Sequence, residues 1–247
     1  MTKLALVTGG SRGIGAATCL ALADIGYDIL LSYRTEVDAA NEVVAQCIKR
    51  GVKAKAVAAD VSNPGDVKGL FAEVDSMGTL GALINNAGIV GTKSRIDEMD
   101  YERMMRMFAV NTVGAFLCAG EAVKRMSTRF GGAGGVIVNV SSAAARITSP
   151  GEYVDYASSK AAMDCMTIGL SKEVADEGIR VNAVRPGLIN TEIHASGGQP
   201  DRVERFRSLI PMQRGGEPEE IASTIVFMCS PASSYMTGAI IDVSGGR

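Results

Sequence analysis

The stretch EYVDYASSK at 152–160 sets two phenols ahead of one amine. Tyr156 and Lys160 are four residues apart, so on a helix they lie one above the other with an axial rise of about 6 Å. Tyr153 stands seven residues from the lysine, about 10.5 Å along the same axis. A phenol titrates near ~10, so it serves as an acid–base group at neutral pH only where its phenolate is stabilised. A cation does this strongly within about 4–6 Å, and the spacing therefore selects Tyr156 for proton transfer. Tyr153 is left to line a pocket or to pack. Upstream, VNVSSAAA offers Ser141 and Ser142, whose side chains face opposite ways at a strand end. Asn111 falls inside a helical pattern, where an asparagine commonly bonds to nearby backbone.

A second group of residues could hold an anion. TGGSRGIG at 8–15 spaces Gly9, Gly13 and Gly15 so that a strand can turn sharply into a helix. Such a turn lets the backbone approach a pyrophosphate, and the helix N-terminus favours negative charge, although a plain β–α turn would need similar glycines. Arg12 in that loop and Arg34 after the second strand add guanidinium groups. The plainer reading of Arg34 is a solvated side chain.

These residues need a scaffold, and the chain supplies one. Apolar or β-branched runs at 4–8, 28–33, 55–59, 82–85, 136–140, 180–184 and 239–243 read as strands. Helical spacing recurs between them, with longer helices expected at 101–128, 155–178 and 217–229. Strands apolar on both faces and alternating with helices call for a parallel sheet covered on both sides. Right-handed crossovers make that a doubly wound, seven-stranded α/β Rossmann sheet. Nothing divides the chain, so 1–247 reads as one domain.

Composition narrows the function classes. Net charge is −2 with no extended basic cluster, which leaves no electrostatic footprint for nucleic acid. No run approaches the roughly 18 apolar residues of a membrane span, and the N-terminus enters a strand pattern directly, so a cytoplasmic protein is expected. Five scattered cysteines read as reduced core thiols. His194, the only histidine, has no metal-ligating partner in sequence, and no metal site is expected.

In their order along the chain, TGxxxGxG, Asp60, NNAG at 85–88, Asn111, a serine after the fifth strand, YxxxK and PG at 186–187 resemble the classical short-chain dehydrogenase/reductase family. The likeness spans the whole chain and points toward bacterial 3-oxoacyl carrier-protein reductases and glucose dehydrogenases. It implies a hydride transfer between a nicotinamide and a ketone or secondary alcohol. Catalysis would rest on Asn111, Ser142, Tyr156 and Lys160. Tyr156 would be the acid–base, Ser142 would hold the substrate oxygen, and Asn111 would anchor a water. Lys160 would bond the nicotinamide ribose and lower the tyrosine's pKa. Fourteen residues separate Ser142 from Tyr156, where the family commonly has thirteen, which places an extra residue in AARITSPG.

The resemblance also assigns cofactor contacts to Gly9, Ser11, Arg12, Gly13, Ile14, Gly15, Arg34, Asp60, Val61, Asn86, Ala87, Gly88, Tyr156, Lys160, Pro186, Gly187, Ile189 and Thr191. An NAD site usually has a carboxylate at the end of the second strand. Here Ser32-Tyr33-Arg34 stands there, and a guanidinium fork suits a 2′-phosphate, which favours NADP over NAD. On the substrate side, Tyr153 and Arg146 either bind a polar group or pack. Residues at about 190–216 read as a lid, with a helix DRVERFRSL between hinges at Gly197-Gly198 and Gly215-Gly216. An acyl-carrier substrate would predict a basic patch at the mouth, from Arg125, Arg129, Arg205 and Arg207; a sugar would predict a small polar pocket. The family implies a homotetramer. The alternative from another class is a non-catalytic dinucleotide sensor, which would tend to lack one of the four catalytic residues.

Overall fold

The structure, a computed structural model, describes residues 3–247. The elements run β1 (Leu4–Val7), α1 (Gly13–Asp24), β2 (Asp28–Tyr33), α2 (Val37–Lys49), β3 (Ala54–Ala58), α3 (Pro64–Met77) and β4 (Leu80–Asn85). They continue with α4 (Tyr101–Phe108), α5 (Gly114–Met126), β5 (Gly135–Val140), α6 (Ala144–Ile147), α7 (Val154–Glu173) and β6 (Ile179–Pro186). Last come α8 (Ile193–Ser196), α9 (Arg202–Arg205), α10 (Pro218–Cys229) and β7 (Ile240–Val243).

All seven strands pair in parallel in the order β3-β2-β1-β4-β5-β6-β7. Side-chain alternation divides the core into two layers. On β1, Ala5 and Val7 face α1, α2 and α10, while Leu4 and Leu6 face α3 and α5. Burial on both faces explains why these strands read as continuous apolar runs. The strand order reverses beside β1, between β2 and β4, and at such a point the carboxyl ends of the strands open a crevice.

Local chemistry sets the element ends. Asn63 caps α3 by accepting from the N–H groups of Gly65 and Asp66 at 2.8 and 3.4 Å, with Pro64 in the first turn. The helix expected over 101–128 is α4 and α5 joined by a π-helical turn at Ala109–Val113, and it ends at Met126. The helix expected over 155–178 stops at Glu173, and the chain turns through Gly178 at φ +79°. DRVERFRSL forms only a single turn, α9, and a 3₁₀ turn at Arg207–Leu209.

Gly215-Gly216, expected as a hinge, is tied to the chain before the lid. Gly216 pairs with Ile189 in a parallel bridge, with Asn190 N–H to Gly216 O and Gly216 N–H to Leu188 O both at 2.9 Å. A Cβ on Gly215 would lie 2.4 Å from Val203, so this glycine serves close packing. Four cysteines are buried, but Cys165 is exposed on α7 and is not a core thiol. No helix is long and apolar enough to cross a membrane.

Candidate active site

Two adjoining clefts open at the carboxyl ends of the strands and share Ile14, Asn86, Gly88, Thr191 and Ile193. The first is built on the β1–α1 turn. Gly9 (φ +63°) and Gly13 (φ +52°) take backbone conformations that side chains resist, and a Cβ on Gly15 would lie 2.2 Å from Gly9 O. Thr8 ties this turn to β4: its hydroxyl donates to Ile84 O and accepts from the N–H groups of Asn86 and Ala87 at 3.0 Å each. The Asn86 amide then donates to Thr8 O and Gly9 O at 2.9 Å each. Asn86 thus braces the loop as well as lining the cleft.

Every expected cofactor contact from Gly9 to Gly88 lines this first cleft, apart from the tyrosine–lysine pair that belongs to the second. Arg12 and Arg34 are exposed at its rim, and among the described residues neither guanidinium has an ion-pair or hydrogen-bond partner. Asp60 accepts from Ser62 N–H (3.0 Å), Ser62 Oγ (2.6 Å) and Arg106 (2.9 Å). Burial raises its pKa, but these bonds outweigh that and hold the carboxyl below its ordinary value. Arg106 also lines the cleft and went unnoticed in the sequence, because its placement depends on how α4 crosses the end of β3.

The second cleft holds the reactive groups. Tyr156, Lys160 and Ser142 line it, together with Pro186, Gly187, Ile189 and Thr191. As strand alternation requires, the two serines diverge. Ser141 Oγ donates to Lys160 O at 3.2 Å, while Ser142 Oγ accepts from Ala144 N–H at 3.1 Å on the side of Tyr156. Lys160 is buried, with Nζ donating to Val140 O at 2.7 Å and lying 5.9 Å from the Tyr156 ring centre. Burial pushes its pKa down from 10.5 to about 8, with Asp164 opposing.

For Tyr156 the expected direction is reversed. Burial raises the phenol's pKa, only Ser142 opposes this, and the lysine ammonium is turned toward Val140 O. In this state the phenol is held protonated.

Asn111 does not line either cleft. It sits fully buried in the π-helical turn and reaches across to the β4 loop. Its Oδ1 accepts from Ile89 N–H at 2.8 Å, and its Nδ2 donates to Ile89 O (2.9 Å) and Ser159 Oγ (3.0 Å). It therefore fastens the loop carrying Gly88 to the helix carrying Lys160. Widened helical turns of this kind often mark functional sites.

The substrate side departs from expectation in several places. Arg146 turns away from the cleft, donating to Arg247 O at 2.6 Å and pairing with Asp242 at 3.5 Å, so it is not a wall residue. Its loop forms α6 and then passes through Thr148 and Ser149 at positive φ (63° and 45°). Ile147 and Ser149 from that loop line the cleft. Tyr153 is a wall residue, bonded to Gln199. His194 lines the cleft too; its Nε2 lies 3.0 Å from Ile189 O and so carries the proton, leaving Nδ1 as an acceptor. Burial lowers its pKa, the Ile189 bond opposes this, and Arg202 adds to the lowering.

Arg125 and Arg129 form no basic mouth. Arg125 lies at the end of α5, paired with Asp75 and Glu121, and Arg129 follows it before β5 begins, at the opposite end of that strand from Ser142. Arg205 bonds Gln199, and Arg207 Nε donates to Gln213 O at 2.7 Å. The guanidinium groups that do line the cleft, Arg202 and Arg247, come from the segment at 190–216 and from beyond β7. Arg202 was hidden inside a segment read as an amphipathic helix. Among the described residues no cluster of three metal-ligating side chains occurs.

A family model described as Enoyl-(Acyl carrier protein) reductase matches residues 9–247. The chain is 53% identical over 245 residues to the uncharacterized oxidoreductase YgfF of Escherichia coli, covering 99% of each. It is 37% identical to a 3-oxoacyl-[acyl-carrier-protein] reductase of Synechocystis, covering 99% of this chain and 96% of that one. A short chain dehydrogenase from Burkholderia cenocepacia, solved in complex with NADP, superposes with a TM-score of 0.90 at 31% identity over 99% of this chain and 97% of its own. With a parallel Rossmann sheet, a glycine turn at its switch point and a tyrosine–lysine pair in the adjoining cleft, the chain belongs to the classical short-chain dehydrogenase/reductase family of oxidoreductases.

Proposed function

We propose that this protein is an NADP(H)-dependent oxidoreductase that interconverts a ketone and a secondary alcohol, with Tyr156 as the acid–base. The observation that carries this is the convergence of Tyr156, Ser142 and Lys160 on a cleft continuous with the glycine turn. The first cleft has the donors a dinucleotide needs: glycines without side chains, the N-terminus of α1, and two unpartnered guanidinium groups. Gly9 to Gly15 would hold the pyrophosphate and Arg12 and Arg34 the 2′-phosphate, with Asp60 toward the adenine and Asn86 to Gly88 along the ribose. A nicotinamide in the second cleft supplies or accepts hydride.

Tyr156 donates a proton to the carbonyl oxygen while Ser142 hydrogen-bonds the same oxygen. The raised pKa of the phenol keeps it in the acid form that reduction requires. Lys160 supplies a buried cation to the phenolate left behind, and Asn111 keeps the Gly88 loop in register with both. The segment at 190–216 covers the site as a lid, closed at its base by the Ile189–Gly216 bridge. We also place the protein in the cytoplasm, as a homotetramer through apolar side chains exposed on α5, α7 and α10 such as Phe116, Ile168 and Phe227. Light scattering after gel filtration tests that assembly.

Tyr156→Phe removes the donor and little else. NADPH oxidation with a responsive ketone should fall by about 10²–10⁴-fold, while NADPH still binds. Unchanged turnover would overturn the assignment, and a sensor would bind NADPH without turnover in either form.

A further inference from the structure

The second cleft has cations in its wall but, among the described residues, no acidic side chain. Lys160, Arg202 and Arg247 line it, and no Asp or Glu does. These cations are not equivalent. Lys160 lies under the reacting groups with its ammonium on Val140 O. Arg202 is already matched: it pairs with Glu152 at 2.6 Å, bonds Gln199 Oε1 at 3.2 Å, and lies between the Tyr153 and Phe206 rings, 4.9 Å from each centre. Glu152 is further shared with Lys93 at 3.6 Å, so it has no charge to spare.

Arg247 is the unmatched one. Its guanidinium lies 5.6 Å from the Phe206 ring centre, and among the described residues it has no ion-pair or hydrogen-bond partner. Burial lowers its pKa, and Arg202 lowers it further, with only Glu152 opposing. A half-buried cation left in this way is completed by an anion from outside the chain, and a planar carboxylate fits its fork. A neutral sugar would find no Asp or Glu acceptor in this wall, and a carrier protein would find no basic mouth from Arg125 and Arg129.

Resting on the oxidoreductase reading above, we propose that the substrate is an oxo acid or hydroxy acid, whose carboxylate pairs with Arg247 while its carbonyl oxygen meets Tyr156 and Ser142. Arg202 is the positioning residue, because it lies against Tyr153, a wall residue, and against Phe206, which faces the Arg247 guanidinium.

The test compares pyruvate, acetoacetate and levulinate with their methyl esters, which keep the ketone and remove the charge. For the best-fitting pair, kcat/KM with NADPH should favour the acid by about tenfold or more. In Arg247→Gln the acid-to-ester ratio should collapse toward one, and in Arg247→Lys part of it should return. Because the readout is a ratio within one protein, a general loss of active enzyme cancels. No acid preference in the unaltered protein for any pair would overturn the proposal. So would a preference that survives Arg247→Gln. If no ketone is reduced at all, the oxidoreductase reading fails separately. Calorimetry with the same pairs then decides the charge question: tighter acid binding supports carboxylate recognition by Arg247, and equal binding overturns it.

Discussion

Replacing Lys160 with Met should make the cofactor-free protein more stable at neutral pH while removing its activity. Lys160 is 3% exposed, and its pKa falls from 10.5 to about 8 because burial disfavours the charged form. At about 1.4 kcal/mol for each tenfold change in proton affinity, charging this side chain costs the folded state about 3 kcal/mol. Met fills the same volume without a charge, but it strands Val140 O, which now accepts from Nζ at 2.7 Å. An orphaned carbonyl costs about 1 kcal/mol, which leaves a net gain of about 2 kcal/mol. In a domain of this size that corresponds to a Tm about 4–8 °C higher.

The pH dependence gives a second check. A lysine with a depressed folded-state pKa binds its proton more tightly when unfolded, so the penalty is complete below about pH 8 and fades as pH rises toward 10.5. Paired thermal scans should therefore show the variant's advantage in full at pH 7 and reversed at pH 10.5, where only the cost of the orphaned carbonyl, about 1 kcal/mol, is left. A lower Tm for Lys160→Met at pH 7, or an advantage that ignores pH, would refute the reasoning. NADPH oxidation by the variant should drop by about a hundredfold or more, because the phenolate loses its cation.

Asn111→Ala removes the acceptor for Ile89 N–H and the donor to Ile89 O. Leaving such buried groups unpaired costs about 1–3 kcal/mol each, so urea midpoints should fall and NADPH affinity with them; an unchanged midpoint would count against the clamp. Arg34→Ala, alone and with Arg12→Ala, should lower the NADP-to-NAD ratio of kcat/KM by about tenfold or more, with a smaller effect at high salt because both groups are exposed. An unaltered ratio would remove the charge basis for NADP.

Much of this was legible in the chain because it depends on local spacing. Two-faced apolar strands alternating with helices specify a covered parallel sheet whichever residues fill it, and all seven expected strands are present. The glycine turn was legible because only glycine lets Gly9 O and residue 15 come so close. The four-residue step from Tyr156 to Lys160 put both in one cleft, since a helix fixes that relation by itself.

Direction and charge balance were not legible, because they depend on neighbours distant in sequence. Reach alone could not say that Lys160 would spend its ammonium on Val140 O and leave the phenol's pKa raised. Nor could it say that Arg146 would turn to Asp242 while Arg202 and Arg247 entered the wall. Helical position alone suggested a local backbone partner at Asn111 and the family resemblance a water anchor, and only the packing of α4–α5 against the β4 loop and α7 made it a clamp between them. The sequence by itself determined the sheet, the turn at its switch point and the tyrosine–lysine pair, because short-range geometry dictates each. Which charges meet beside the cleft was decided only when Arg202 and Glu152, 50 residues apart, came to share one partly buried site.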